Sequence, residues 1–195
     1  MTYEIDSLTA DTIVPFLIDV FETRGAEEYL GEPVTIGQHM LQGATLAEMQ
    51  GQPETIIVAA LLHDIGHFVG DLGTFTMDDT EDRLHEHAGA SLLARFFPPV
   101  VTACVRYHVE AKRYLCATRP EYFAQLSEAS VHSLNLQGGP MSEREATEFA
   151  TNPYLDAIIS VRLLDEAGKD PNLETPGFHY FAPMVQRIVD AARPS

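Results

Sequence analysis

Residues 56–62, Ile-Ile-Val-Ala-Ala-Leu-Leu, form an unbroken apolar run that leads straight into His63-Asp64-Ile65-Gly66-His67. A helix that is apolar all round belongs in a core, and it carries whatever ends it inside as well. A buried carboxylate is costly unless something neutralises it. A multivalent cation is the simplest compensation, because imidazole nitrogen and carboxylate oxygen both suit iron, zinc or manganese. The alternative, a solvated pair at a helix end, fits poorly with three apolar residues before the pair and Ile65 after it. The run is far below the roughly 18 apolar residues of a membrane helix. The opening residues are acidic and lack the basic start and apolar stretch of a signal peptide, so a soluble, cytoplasmic protein is expected.

The rest of the chain is punctuated as helices. Ile13, Phe16, Leu17, Val20 and Phe21 share one face of a segment over 12–24 that stops at Gly25. Thr35 and Gln38 make a capping box that opens a helix to about Met49. Pro53 suits the first turn of the next helix, expected to run on through His63 to about His67. Further helices are expected over 86–96, 99–117, 120–134, 153–167 and 180–192, with a second capping box at Ser142 and Glu145. An acidic, irregular stretch over 70–82 reads as a loop. No segment alternates with period two, so the chain is expected to be all-α, one domain over 1–195, a helical bundle around its polar centre.

Candidate ligands are spread over several of these helices. His39, His85, His108 and Asp165 join His63 and Asp64 to make four imidazoles and two carboxylates. That set exceeds what one metal with open positions needs, and suits two metals sharing a carboxylate. Two cysteines twelve residues apart suggest neither a disulfide framework nor a thiolate zinc site. His108 and Lys112 are four apart, and Arg162 and Asp165 three apart, so each pair shares a helix face. A cation one turn from a ligand is placed to grip an anion that also reaches the metal. His67, one turn past His63, is expected beside the metal or its substrate.

The pattern His39, His63-Asp64, Asp165 resembles the HD-domain superfamily, and His85 with His108 resembles its dinuclear members. The stretches Tyr29-Leu-Gly-Glu32, His85-Glu-His-Ala-Gly89, His108-Val-Glu-Ala-Lys112-Arg-Tyr-Leu115, Gln137-Gly-Gly-Pro-Met141 and Asp165-Glu-Ala-Gly-Lys169 carry the resemblance over nearly the whole length. They resemble the mixed-valent di-iron oxygenases that degrade organophosphonates. That resemblance implies two Fe ions, Fe(II)/Fe(III), with O2 as co-substrate. One iron would take His39, His63, Asp64 and Asp165, the other His85 and His108, with Asp64 bridging. It implies that Tyr29 occupies the second iron until substrate arrives, with Glu32 as partner in that gate. It also implies a phosphonate-binding set of His67, Lys112, Ser130 and Arg162. Whether His85 or His87, two residues on, serves the second iron is left open by spacing alone.

The implied reaction is O2-dependent cleavage of the C–P bond of 1-hydroxy-2-(trimethylammonio)ethylphosphonate or 2-amino-1-hydroxyethylphosphonate, giving glycine betaine or glycine plus inorganic phosphate. The competing reading is an HD-type metal-dependent phosphohydrolase acting on a small phosphate ester, which would share His39, His63, Asp64 and Asp165, so those four do not discriminate, and some such hydrolases are dinuclear too. The partner is in either case a small molecule. Twelve basic against 29 acidic residues give a formal charge of −17, which argues against nucleic acid as a ligand. Oligomeric state is not legible. For the cationic nitrogen of a zwitterionic hydroxyphosphonate, Glu32 and the acidic residues within 77–82 are candidates, with Tyr29 or Phe75 as ring partners. The acidic stretch favours the trimethylammonio substrate.

Overall fold

In a computed structural model of the chain, residues 4–29, 31–69 and 84–193 are described below. The stretch over 70–82, with Phe75 and the acidic residues expected to meet the substrate's cation, lies outside the described residues, apart from its neighbours at 69 and 84. Eleven α-helices and a short 3-10 turn make up the described part, and the only strand-like feature there is an isolated bridge between Glu28 and Thr35. The all-α expectation holds.

The helices begin and end where side chains supply what the backbone lacks. Helix α1 (Ile13–Arg24) stops at Gly25. Helix α2 (Ile36–Met49) opens on Thr35, whose hydroxyl accepts from Gln38 N–H while the Gln38 side chain returns to Thr35 N–H, satisfying two otherwise orphaned donors. Ser142 and Glu145 do the same for α9 (Glu143–Phe149). Pro98-Pro99 separates α5 (His85–Leu93) from the 20-residue α6 (Pro99–Thr118). The short α7 (Pro120–Phe123) and α8 (Glu128–Leu136) follow, and a turn in which Gly138 and Gly139 take φ of +94° and +73° leads on to α9. Helices α10 (Leu155–Ala167) and α11 (Phe178–Ala191) complete the order.

The apolar run behaves as its composition demands. Helix α3 (Glu54–Leu62) is buried from Ile56 to Leu62 and packs against α2, α6, α10 and α11. Its neighbours then deliver polar side chains to its C-terminal end: His39 from α2, His85 from the start of α5, His108 from α6 and Asp165 from α10.

Two expectations need correction. Pro53 is the residue before the helix, not its first turn. The helix also does not run on to His67: it ends at Leu62, the chain turns over 63–65, and a separate short helix α4 (Gly66–Val69) begins. The cause is tertiary. A Cβ on Gly66 would lie 1.8 Å from the backbone oxygen of His85. Glycine is therefore the residue that lets α4 pass against α5.

Gly66→Ala is expected to force α4 and α5 apart, destabilising the fold by about 3 kcal/mol. Thermal unfolding should show a lowered Tm together with reduced metal content. Gly177→Ala, where an added Cβ meets nothing within 4 Å, should leave both unchanged.

Candidate metal centre

Helix α3 ends by placing His63 and Asp64 at the bottom of a cleft, 1% and 2% exposed. His39, His108 and Asp165 around them are equally buried. Three of these imidazoles are oriented by main-chain carbonyls. His39 Nδ1 lies 2.9 Å from Gly168 O, His63 Nδ1 2.8 Å from Ala60 O, and His108 Nδ1 2.8 Å from Val105 O. A carbonyl only accepts, so each Nδ1 carries the proton and each Nε2 presents a bare lone pair.

Those lone pairs all point to the same place. His39 Nε2 and His63 Nε2 are 3.0 Å apart, and His85 Nε2 and His108 Nε2 3.1 Å apart. Around them stand carboxylate oxygens. Asp64 Oδ2 is 3.6 Å from His39 Nε2 and 3.5 Å from His63 Nε2, whereas Asp64 Oδ1 is 3.2 Å from His85 Nε2 and 3.3 Å from His108 Nε2. Asp165 Oδ1 is 3.4 Å from His39 Nε2 and has no hydrogen-bond partner. Acceptors facing acceptors in a dry core repel one another unless cations sit among them. Protonating His63 is no remedy, because burial drives it down to about 4 despite the neighbouring carboxylates. The donor set therefore fits metal ions. Asp64 offers one oxygen to each histidine pair, the arrangement of a carboxylate shared between two metals.

Burial by itself would raise the Asp64 carboxyl. The imidazoles of His63, His108, His85 and His67 more than reverse this and hold it well below the usual carboxylate range. Asp165 is likewise held low against its own burial, chiefly by the Arg162 guanidinium and then by His63 and His39. Both carboxylates stand ionised and ready to bind a cation.

Of the two histidines that spacing leaves open, His85 is the one that reaches Asp64. His87 is half exposed and turns to Glu86. The residue before His85, Leu84, takes a left-handed φ of 51°, a conformation that costs a residue with a side chain of order 1–3 kcal/mol. That turn starts α5 with His85 aimed inward. His67 comes closer to the donors than a pure substrate contact requires. It stacks on His85 at 4.1 Å between ring centroids, and its Nε2 is 4.0 Å from Asp64 Oδ2. Two compact groups thus emerge that could each hold an ion, His39 with His63 and Asp165, and Asp64 with His67 and His85.

A cavity opens above Asp64, lined by His67, His108, Lys112 and Arg162 among others, with Tyr29 across it. Tyr29 stacks on His39 at 4.3 Å and its hydroxyl reaches Asp64. Lys112 Nζ donates to Ser133 Oγ at 2.7 Å. Burial, with the Arg162 charge nearby, pulls the Lys112 ammonium down to about 7. Arg162 is clamped by three partners: Nε donates to Tyr122 Oη at 2.8 Å, and the two terminal nitrogens pair with Asp165 and Glu166. Held this way, Arg162 lines the cavity beside Lys112.

Glu32 and Ser130 are not brought to the cavity wall. Glu32 bonds Ser127, and Ser130 Oγ lies between Lys169 and Glu166, one layer behind. Conversely, the cavity uses Val109, Ser133 and Gln137, which sequence reasoning did not single out. Ser133 lies on α8 and Gln137 is the residue that caps its C-terminal end, and Gln137 Oε1 is buried without a partner. Their spacing alone carries no chemistry; only the nearness of α8 to Lys112 reveals them.

The HD domain model matches residues 36–146 of this chain. The 1-hydroxy-2-(trimethylamino)ethylphosphonate dioxygenase (glycine-betaine-forming) of Leisingera caerulea is 65% identical over 187 residues, covering 96% of this chain and 95% of its own. A hydroxymethylphosphonate dioxygenase of Gimesia maris is 37% identical over 189 residues, 94% of this chain and 92% of its own. With its His-Asp pair at the centre of two facing donor sets, the chain belongs to the HD-domain family, in the group that holds these hydroxyphosphonate dioxygenases.

Proposed function

We propose that this protein is a di-iron dioxygenase that cleaves the C–P bond of 1-hydroxy-2-(trimethylammonio)ethylphosphonate. The observation that carries the reading is the split of the Asp64 carboxylate between two histidine pairs beside a cavity lined by Lys112 and Arg162, in a chain 65% identical to an enzyme named for this reaction. The balance is one substrate and one O2 giving one glycine betaine, one hydrogen phosphate and one proton. His39, His63, Asp64 and Asp165 would hold one iron, and His85 and His108 the other, with Asp64 common to both. When bound, the irons supply the redox chemistry with O2. The relatives' names favour an oxygenase over the phosphohydrolase reading.

The chain's own residues do the positioning. Lys112 and Arg162 approach the cavity from α6 and α10 and would grip phosphonate oxygens, Arg162 in a plane preset by Tyr122, Asp165 and Glu166. His67 lies between this anion subsite and Asp64. Tyr29 covers the metal side of the cavity, where a hydroxyl and phosphonate oxygen would have to arrive, so substrate entry requires its ring to give way. A dianion also raises the affinity of Lys112 for its proton, so binding and protonation reinforce each other.

An aerobic assay should find oxygen uptake, phosphate and glycine betaine in equal amounts from the trimethylammonio substrate. Phosphate release from esters without oxygen uptake would instead establish the hydrolase. Lys112→Ala should raise KM by roughly 10- to 100-fold, the loss expected for one charge-assisted hydrogen bond, while iron per chain is unchanged. Because burial pulls the Lys112 ammonium down to about 7, affinity for the phosphonate dianion is expected to fall as pH rises through that range. KM measured from pH 7 to 9 should climb in the parent enzyme, and Lys112→Met should flatten that climb.

A further inference from the structure

Behind the cavity wall runs a line of charges that the phosphonate contacts do not account for. Glu32 sits in the turn that carries Tyr29, and its carboxylate leans outward instead of into the cavity. Glu32 Oε1 accepts from Ser127 Oγ at 2.6 Å and meets Lys169 Nζ at 3.1 Å. Lys169 Nζ also donates to Ser130 Oγ at 2.7 Å and meets Glu166 Oε1 at 3.2 Å. The other oxygen of Glu166 pairs with Arg162. The Glu32 and Lys169 side chains are only 8% and 11% exposed, so solvent and salt do little to loosen their attraction. The turn's own backbone contributes Glu32 N–H to Tyr29 O at 2.7 Å and the bridge between Glu28 and Thr35.

Lys169 therefore serves two carboxylates, Glu32 and Glu166, and Glu166 is itself shared with Arg162. An anion that shares the clamped Arg162 guanidinium takes part of its charge from Glu166, which then leans more on Lys169. Glu166 then competes more strongly with Glu32 for the same ammonium. We propose that Lys169 is a positioning residue that latches the Tyr29–Glu32 turn against α8 and α10, and that phosphonate binding at Arg162 weakens the latch. The first half stands on geometry alone; the second rests on the phosphonate reading above. Loosening the turn as the anion arrives would let Tyr29 leave Asp64 at the moment the substrate needs its place.

The test is hydrogen–deuterium exchange on the full-length, iron-loaded protein, following peptides over 27–36 and, as a reference, over 54–62. Lys169→Met is expected to speed exchange in 27–36 by about fivefold or more with the reference unchanged, and Lys169→Arg to restore it. No change in 27–36, or an equal rise in the reference, would make Lys169 an ordinary prop of the fold and overturn the latch. Saturating methylphosphonate, its binding measured separately by calorimetry, should speed exchange in 27–36 of the parent protein and have no such effect in Lys169→Met. Bound methylphosphonate that leaves 27–36 unchanged or slows it overturns the coupling. Failure of methylphosphonate to bind at all overturns the phosphonate reading and the coupling with it, while the Lys169→Met comparison still decides the latch.

Discussion

The structure is organised around one carboxylate shut away from bulk solvent. Asp64 is 2% exposed at the end of an all-apolar helix, where an isolated charge would be untenable. Everything nearby answers that charge. Four imidazoles from four other parts of the chain, His39, His67, His85 and His108, join His63 around it, and most present bare nitrogens that demand cations of their own. The centre thus fits metals: the carboxylates need positive charge, and His63, pulled down to about 4 by burial, does not supply it as an imidazolium.

The same constraint shapes the substrate side. A strongly acidic protein would repel a phosphonate at long range, but the potential that a ligand meets in a cleft is set by the nearest groups. Lys112 and Arg162 are both buried in the cavity wall, and each is restrained by hydrogen bonds to a neighbouring helix. Restraint lowers the ordering cost of binding, while burial makes Lys112 sensitive to an arriving anion. With the two irons proposed, the metal charge would exceed that of Asp64 and Asp165, so the centre and the Lys112–Arg162 side of the cavity would both favour an anion.

The helix ends were largely legible in the sequence, because they rest on local chemistry. The capping boxes at Thr35–Gln38 and Ser142–Glu145, the Pro98-Pro99 break and the glycine turn at 138–139 all act within a few residues. The break at 63–65 was not legible, since nothing in His-Asp-Ile forbids a helix. It arises because Gly66 abuts the His85 backbone, a contact between residues nineteen apart in the chain. Glu32 and Ser130 show the same limit. The resemblance implies roles for both at the substrate, yet Glu32 bonds Ser127 and Lys169, and Ser130 bonds Lys169, instead of lining the cavity.

What the sequence by itself determined is the kind of protein this is: an all-helical chain whose apolar core carries a His-Asp pair, with enough further ligands for two metals and two cations in register with them. Residue type and helical spacing suffice for that, because they act locally. Tertiary structure alone decided that Asp64 divides its two oxygens between two histidine pairs, that His85 and not His87 turns inward, and that α8 supplies Ser133 and Gln137 to the cavity. Those outcomes depend on where distant helices cross, and helix crossing is set by packing over the whole core, which no single stretch of the chain encodes.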